Sequence, residues 1–339
     1  MALKLGIVGA TGVVGLEARK LAAEILGFPV EMLLFASTAR PDDKILALET
    51  SRDALRSCDV ILNAASSDQA KFIRENMSER QILVDNSSAY RMEKGIPLVV
   101  PEVNGTELSS VKSMVSKIVA NPNCTAAILC VALSPLKKYG MKRVQVSTYQ
   151  AASGAGIKGL DELMNQIRDW RADESAPVKG GSVFRHPLFL NVMSHNSPMQ
   201  APGTEGELHN EEEWKVIIES QKILAMPQLP MGITSMRVPV LRAHTEAVSI
   251  QFDKSVSLED LKKSLSTADG IKIVDSWQEN HFPMPVEAQN QDLVLVGRIR
   301  KDLFDPHWAH FLISGDQLRK GAASNALQII RDLRKTGVI

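Results

Sequence analysis

The chain reads as an α/β protein of two domains, the first built on a parallel sheet covered by helices, the second an α+β domain on a mixed sheet. Three observations predict this. Over the first third, short apolar segments alternate with helical ones, which is the pattern of parallel strands joined by crossover helices. A glycine-punctuated turn, Gly9-Ala10-Thr11-Gly12-Val13-Val14-Gly15, closes the first apolar segment and opens the first helix. Beyond about residue 140 the texture changes to β-branched segments without that regular alternation. At 339 residues and 44% hydrophobic content, the chain is long enough for two cores.

Taken in order, strands are expected at Leu3–Val8, Met32–Ala36, Val60–Ala64, Ile82–Asp85, Leu98–Val100 and Lys117–Ala120, with helices at Val13–Leu26 and Gln69–Met77. Asn121-Pro122-Asn123-Cys124-Thr125 then leads from a strand into an apolar helix, and the first domain is assigned to residues 1–122. The second, 123–315, opens with that helix. It continues with a strand at Arg143–Gln150, an amphipathic helix at Gly159–Trp170, strands at Arg237–Val240 and Ala247–Phe252, a helix at Leu258–Leu265, and strands at Ile271–Val274, Leu293–Ile299 and His310–Ser314. Residues 172–210 form an irregular stretch too long for an ordinary connection, which marks it as a lid or a partner contact. A last helix from about 316 is expected to pack back on the first domain, within 316–339.

Composition narrows the function. Lysine plus arginine equals aspartate plus glutamate at 39 each, so no overall field steers the protein to nucleic acid or an acidic membrane, and a small-molecule partner is expected. Three cysteines, Cys58, Cys124 and Cys130, are too few and too scattered for a disulfide framework and predict a reducing compartment. None lies in a Cys-x-x-Cys pair or beside clustered histidines, so no metal site is expected. With no basic leader and no long apolar run, the cytoplasm is the expected location.

The glycine turn sits where a dinucleotide-binding, Rossmann-like domain places its phosphate loop. Gly9, Thr11, Gly12, Val13, Val14 and Gly15 are therefore the candidate cofactor contacts. Gly12 permits close approach to a pyrophosphate, Gly15 lets helix and strand pack, and the helix N-terminus offers N–H groups to the anion. At the end of the second strand, Ser37, Thr38 and Arg40 stand where an acidic residue would select NAD. Hydroxyls and an arginine suit a 2′-phosphate, which favours NADP. Asp42 and Asp43 next to Arg40 oppose that phosphate and leave NAD use open.

Cys124 is delivered to the first turn of a helix, where unpaired N–H groups and the helix dipole stabilise a thiolate. The local residues leave two readings open, a nucleophile or a small buried hydrophobe. A nucleophilic thiol beside a nicotinamide cofactor points to aldehyde oxidation through a thiohemiacetal and a thioester. Such chemistry needs a base, and His244, between two expected strands, is the best-placed histidine. Taken alone, it reads as readily as a surface or core hydrogen-bonding residue.

Seven ordered segments carry a family resemblance: the glycine turn; Asp85-Asn86-Ser87-Ser88-Ala89-Tyr90-Arg91; Val100-Pro101-Glu102-Val103-Asn104; Asn121-Pro122-Asn123-Cys124-Thr125; Thr148-Tyr149-Gln150-Ala151-Ala152-Ser153-Gly154-Ala155-Gly156; Arg237-Val238-Pro239-Val240; and Val296-Gly297-Arg298-Ile299-Arg300. In that order, and nearly end to end, the chain resembles the aspartate-β-semialdehyde dehydrogenases. The resemblance implies that Cys124 is the acyl-forming nucleophile, His244 the acid/base and Gln150 the residue orienting the thioester. It implies that Arg237 clamps the substrate α-carboxylate, Glu212 receives the α-amino group, and Arg91 and Lys215 hold inorganic phosphate. Asn123 joins the substrate contacts, and Ser153 and Gly154 the cofactor contacts. The implied reaction is the reversible conversion of L-aspartate 4-semialdehyde, phosphate and NADP to 4-phospho-L-aspartate and NADPH by a homodimer joined through the second domain's sheet.

Two departures from the family pattern stand out. The segment from Arg40 to Cys58 is short, and Asn191-Val192-Met193-Ser194-His195-Asn196-Ser197 replaces a run that usually contains isoleucine-proline-histidine-isoleucine. The nearest rival, N-acetyl-γ-glutamyl-phosphate reductase, typically reads Asn-Pro-Gly-Cys-Tyr at the cysteine, so Asn123 and Thr125 favour the aspartyl enzyme. The other rival, a non-catalytic dinucleotide-binding paralogue, is disfavoured by the joint presence of Cys124, Gln150, Arg237 and His244.

Overall fold

A computed structural model describes residues 2–339. The chain divides into two compact units: one runs to Cys124 and takes in Gly321–Ile339, and the other is Thr125–Lys320.

The first unit contains β1 (Leu3–Val8), α1 (Val13–Leu26), β2 (Val30–Ala36), β3 (Ile45–Ala47), α2 (Arg52–Arg56), β4 (Val60–Asn63), α3 (Ser67–Asn76), β5 (Ile82–Asp85), α4 (Pro101–Asn104) and β6 (Ile118–Ala120). Its six strands are all parallel, in the order β3-β2-β1-β4-β5-β6. That is the doubly wound dinucleotide-binding order, whose ligand crevice lies where the order reverses, between β1 and β4. Strands buried on both faces read as continuous apolar runs, as in Val60-Ile61-Leu62 and Ile82-Leu83-Val84. One face of the sheet is covered by α1, through Ala18, Leu21 and Leu26, and by the C-terminal helix Ser324–Lys335, through Leu327, Ile330 and Leu333. Each fully buried leucine or isoleucine among these contributes about 1.5–3 kcal/mol.

Two expectations for this unit are corrected. Leu98–Val100 is not a strand. It makes a single bridge, Leu98 to Ala120, because Pro97 lacks an N–H and Pro101 starts α4 with Val100 as its N-cap. The last helix does not begin at Asp316: the Asp316 carboxylate instead accepts from the N–H groups of Leu318 and Arg319. A π-helical turn over Arg319–Ala323 precedes the regular helix.

The second unit begins inside α5 (Cys124–Leu133). It continues with β7 (Met141–Gln150), α6 (Gly156–Ala172), β8 (Met193–Ser194), α7 (Glu211–Ile223), β9 (Met231–Arg237), β10 (His244–Phe252), α8 (Leu258–Ser266), β11 (Ile271–Ile273), α9 (Pro285–Ala288), β12 (Val294–Lys301) and β13 (Trp308–Gly315). Its sheet runs β11-β12-β13-β10-β7-β9-β8 and is mixed: β7–β9 and β11–β12 are parallel, the other pairs antiparallel. Burial alternates along the central strands, so one face is covered: Val144, Val146, Thr148 and Gln150 on β7, and His244, Glu246, Val248, Ile250 and Phe252 on β10. The strand expected at Arg237–Val240 lies upstream. It ends at Arg237, because Pro239 cannot donate to a ladder, and its body is Met231–Arg237. His244 is likewise not in a turn but is the first residue of β10. Among the described residues, 172–210 holds one two-residue strand, β8, paired to the edge of β9.

Candidate active site

In the first unit the glycine turn is built from backbone alone. Gly9 adopts a left-handed φ of 80°, and a Cβ at Gly15 would stand 2.2 Å from the Gly9 carbonyl oxygen, so only glycine lets α1 start this close to β1. A cavity of about 250 Å³ opens there, lined by Gly9, Thr11, Gly12, Ser37, Ala64 and Ala65. Gly12 is the extended N-cap of α1 and contributes no side chain, so the first N–H groups of the helix are offered to an anion. These residues fit a dinucleotide pyrophosphate. Val13 and Val14 form the first turn of α1. Of the residues expected at the adenosine end, Ser37 lines the cavity, whereas Thr38 and Arg40 are exposed and lie outside its lining. Arg40 pairs its backbone with Ile45, and the 3₁₀ turn Pro41–Asp43 follows it.

The same unit carries Cys124, partly exposed at the start of α5, and Asn123, buried beside it. Gly321 packs directly on the cysteine: a Cβ there would lie 2.6 Å from Cys124 Cβ. The preceding loop is held by Asn325, whose Nδ2 donates to Asn121 Oδ1 at 2.7 Å and to the Val99 carbonyl at 2.9 Å. Arg91 is buried and donates from Nε to the Asn121 carbonyl (3.0 Å) and from Nη2 to the Asn86 carbonyl (2.7 Å). The structure thus brings Arg91 to the loop that carries the cysteine. Burial pushes the other two thiols, Cys58 and Cys130, up to about 12.

The second unit brings its candidate residues together as rows across the sheet. Gln150 on β7 pairs with Arg237 on β9, and His244 is one step beyond the Thr245–Tyr149 pair, so His244, Gln150 and Arg237 cross three strands on the buried face. The next row is Glu246, Thr148 and Ser235, and the row after that is apolar: Val248, Val146 and Ile233. Ala151 orients both ends of the first row: its N–H donates to His244 Nδ1 at 3.1 Å, and its carbonyl accepts from Arg237 Nη1 at 2.7 Å. His244 follows Ala243, which has a left-handed φ of 73° and whose N–H is held by Gln317 Oε1. Burial, then the nearby Arg237 charge, lowers His244 to about 3. The ring is neutral at working pH, and because Nδ1 accepts from Ala151, its proton sits on Nε2. Ser153 accepts from Gln317 Nε2, and Gly154 lies against both His244 and Arg237.

Glu212 completes this cluster from α7. The helix is fixed by a capping box, Asn210 Oδ1 accepting from Glu213 N (2.9 Å) and Glu213 Oε2 from Asn210 N (3.0 Å), while Glu213 Oε1 accepts from Ser235 N. Glu212 Oε1 accepts from Gln150 Nε2 at 3.0 Å and Thr125 Oγ1 at 3.4 Å, and Thr125 is covalently next to Cys124. Lys215 pairs with Glu211 at 2.6 Å and remains partly exposed.

Several residues of this cluster escaped sequence reading. Asn210-x-x-Glu213 was a legible capping signature. Glu246 was not: a carboxylate two residues after a histidine looks like a surface charge, yet it is fully buried, and neither oxygen has a hydrogen-bond partner. Burial, reinforced by Glu212, holds its carboxyl well above the ordinary carboxylate range. His195 and Asn196 touch the Arg237 guanidinium, Asn196 Oδ1 lying 3.4 Å from both Nε and Nη2.

Comparison with known proteins agrees with this geometry. Residues 4–111 match the semialdehyde dehydrogenase NAD binding domain, and residues 133–320 match the semialdehyde dehydrogenase dimerisation domain. An aspartate-semialdehyde dehydrogenase from Synechocystis is 38% identical, with 99% of this chain and 98% of the relative covered. That of Aquifex aeolicus is 36% identical over the full length of both. Among solved structures, aspartate semialdehyde dehydrogenase II from Vibrio cholerae superposes with a TM-score of 0.87 at 31% identity, covering 99% of each chain. The same enzyme complexed with ASA also has a TM-score of 0.87, at 30% identity and the same coverage.

Proposed function

The chain belongs to the aspartate-semialdehyde dehydrogenase family, and on that footing we propose that it interconverts L-aspartate 4-semialdehyde plus phosphate and 4-phospho-L-aspartate, with NADP as cofactor. The physiological direction is reduction to the semialdehyde, in the biosynthesis of lysine, threonine, methionine and isoleucine. When bound in the glycine-turn crevice, NADP would accept the hydride in the oxidative direction and NADPH would supply it in the reductive one.

The observation that carries this reading is the row His244–Gln150–Arg237 with Glu212 hydrogen-bonded to its central residue. A guanidinium and a carboxylate in one cluster suit the two charges of an α-amino acid, and a free ammonium, unlike an acetylated amine, needs the carboxylate. In the reductive direction the Cys124 thiolate displaces phosphate from the acyl phosphate, forming a thioester. The Gln150 amide orients that thioester. Neutral His244 would hydrogen-bond through its Nε2–H to the oxyanion left when the thioester carbonyl takes up the hydride, and collapse of that adduct breaks the C–S bond, releasing the aldehyde and the Cys124 thiolate with no net proton transfer. Arg91 and Lys215 hold the phosphate. Asn123 contacts the substrate, and Ser153 and Gly154 contact the cofactor. A homodimer in the cytoplasm is the proposed state. The solvent side of the mixed sheet, where Tyr149 is exposed, is the proposed contact, and the matched dimerisation domain supports it. No helix among the described residues is long and apolar enough to cross a membrane.

The test is NADPH formation from L-aspartate 4-semialdehyde with and without phosphate, repeated with NAD. Strict phosphate dependence and faster turnover with NADP are expected. Phosphate-independent turnover, or activity only on N-acetyl-glutamate semialdehyde, contradicts the proposal.

A further inference from the structure

His195 lies in the irregular stretch 172–210 and has no role in the chemistry above, yet it stands between two groups of the cluster. Its Nε2 contacts Arg237 Nη2, and its Nδ1 lies 3.1 Å from Ser197 Oγ. Ser197 Oγ in turn accepts from the backbone N–H of Glu212, at 3.1 Å, in the first turn of α7. A guanidinium has no acceptor, so toward Arg237 the ring nitrogen Nε2 is the accepting group. On the other side of the ring, the Ser197 backbone N–H donates to Nδ1 at 3.2 Å, so both the main chain and the hydroxyl of Ser197 bear on that nitrogen. Burial, together with the charge of Arg237, lowers His195 to about 4, which keeps the ring in the neutral form that the arrangement requires. The segment is anchored on both sides, by His195 N–H to the Ser235 carbonyl (2.8 Å) and by Asn196 Nδ2 to the Val183 carbonyl (3.1 Å).

We infer that His195 is a positioning residue that sets the spacing between Arg237 and Glu212, and so the fit of an α-ammonium and an α-carboxylate carried on one carbon. The inference rests on the proposed roles of those two residues. It gives part of the irregular stretch a function: the strand pairing of β8 on β9 delivers a rigid link from the carboxylate clamp to the helix that presents the ammonium acceptor. Loss of the link loosens substrate recognition and leaves the chemical step intact, because His195 touches none of the reacting groups named above.

The experiment is steady-state kinetics of the full chain with NADP, phosphate and L-aspartate 4-semialdehyde. His195→Ala is expected to raise KM for the semialdehyde roughly 10- to 100-fold, the range set by losing a hydrogen bond to a charged group. The kcat should stay within about threefold, and KM for NADP and phosphate should not move. His195→Gln, whose amide can accept from Arg237 and donate to Ser197, is expected to recover most of the loss. Ser197→Ala carries the same expectation as the alanine variant and replaces it if that protein does not fold. An unchanged KM for the semialdehyde, a loss confined to kcat, or a glutamine variant as impaired as alanine overturns the inference while leaving the activity in place. A wild-type protein inactive on the semialdehyde instead overturns the proposed function, and the inference with it.

Discussion

The two units build their parts of the machinery from different materials. In the first, the glycine turn works through main chain: Gly9, Gly12 and Gly15 are there for what they lack, and the N–H groups of α1 are what the turn offers an anion. In the second, the cluster is made of side chains, His244, Gln150 and Arg237 set in a row by strand register and Glu212 added by a capped helix. A main-chain site depends on spacing along one segment. A side-chain row depends on three strands and a helix arriving in the right alignment, so its parts are far apart in sequence and individually ordinary.

The largest effect expected from a conservative change lies in the second unit. Arg237→Lys keeps the charge but loses the planar fork that Ala151, His195 and Asn196 hold. The kcat/KM for the semialdehyde should fall by roughly 100-fold, mainly through KM, in initial-rate assays. A smaller effect is expected from the main-chain site. Gly15→Ala forces β1 and α1 apart at the Gly9 carbonyl, and KM for NADP should rise about tenfold, with KM for the semialdehyde unchanged. If the two variants affect the same kinetic parameter, the division of labour between the units is wrong.

The smallest effect concerns the second polar row. Because burial raises the carboxyl of Glu246, its protonated form is the one the fold accommodates, and stability is lost as pH rises from its ordinary value of 4.5 toward the folded-state value. Glu246→Gln mimics the protonated acid and removes the titration. Urea unfolding between pH 5 and 9 should show the variant gaining on wild type as pH rises, by at most ~1.4 kcal/mol per pH unit. A difference that stays flat with pH means Glu246 is ionised in the fold.

The same contrast explains what was legible in the sequence. The parallel domain followed from apolar runs and the glycine spacing, because a βαβ unit writes its whole logic into about thirty consecutive residues. The mixed sheet was recognised as a class, but one of its strands was misplaced where Pro239 intervened; in the parallel domain a strand was expected ahead of Pro101 where only a bridge forms, and Asp316 captures the chain ahead of the last helix. Cys124, Gln150, Glu212, Arg237 and His244 were each singled out, with the resemblance naming their roles. The row that joins His244, Gln150 and Arg237 was not visible, since register is set by pairing and no local pattern records it. Nor were Ala151, His195 and Glu246: a backbone amide, a loop histidine and a charge on a strand have no distinguishing composition.

The central claim is that Cys124 carries the acyl group. Incubating the protein with L-aspartate 4-semialdehyde and NADP in the absence of phosphate should leave one aspartyl group per chain, located by mass spectrometry on the Cys124 peptide. Phosphate should discharge it, and the Cys124→Ala variant should show neither adduct nor turnover. Cys58 and Cys130, buried and held near 12, should stay unmodified. An adduct on either of those thiols, or turnover by the alanine variant, would contradict the account.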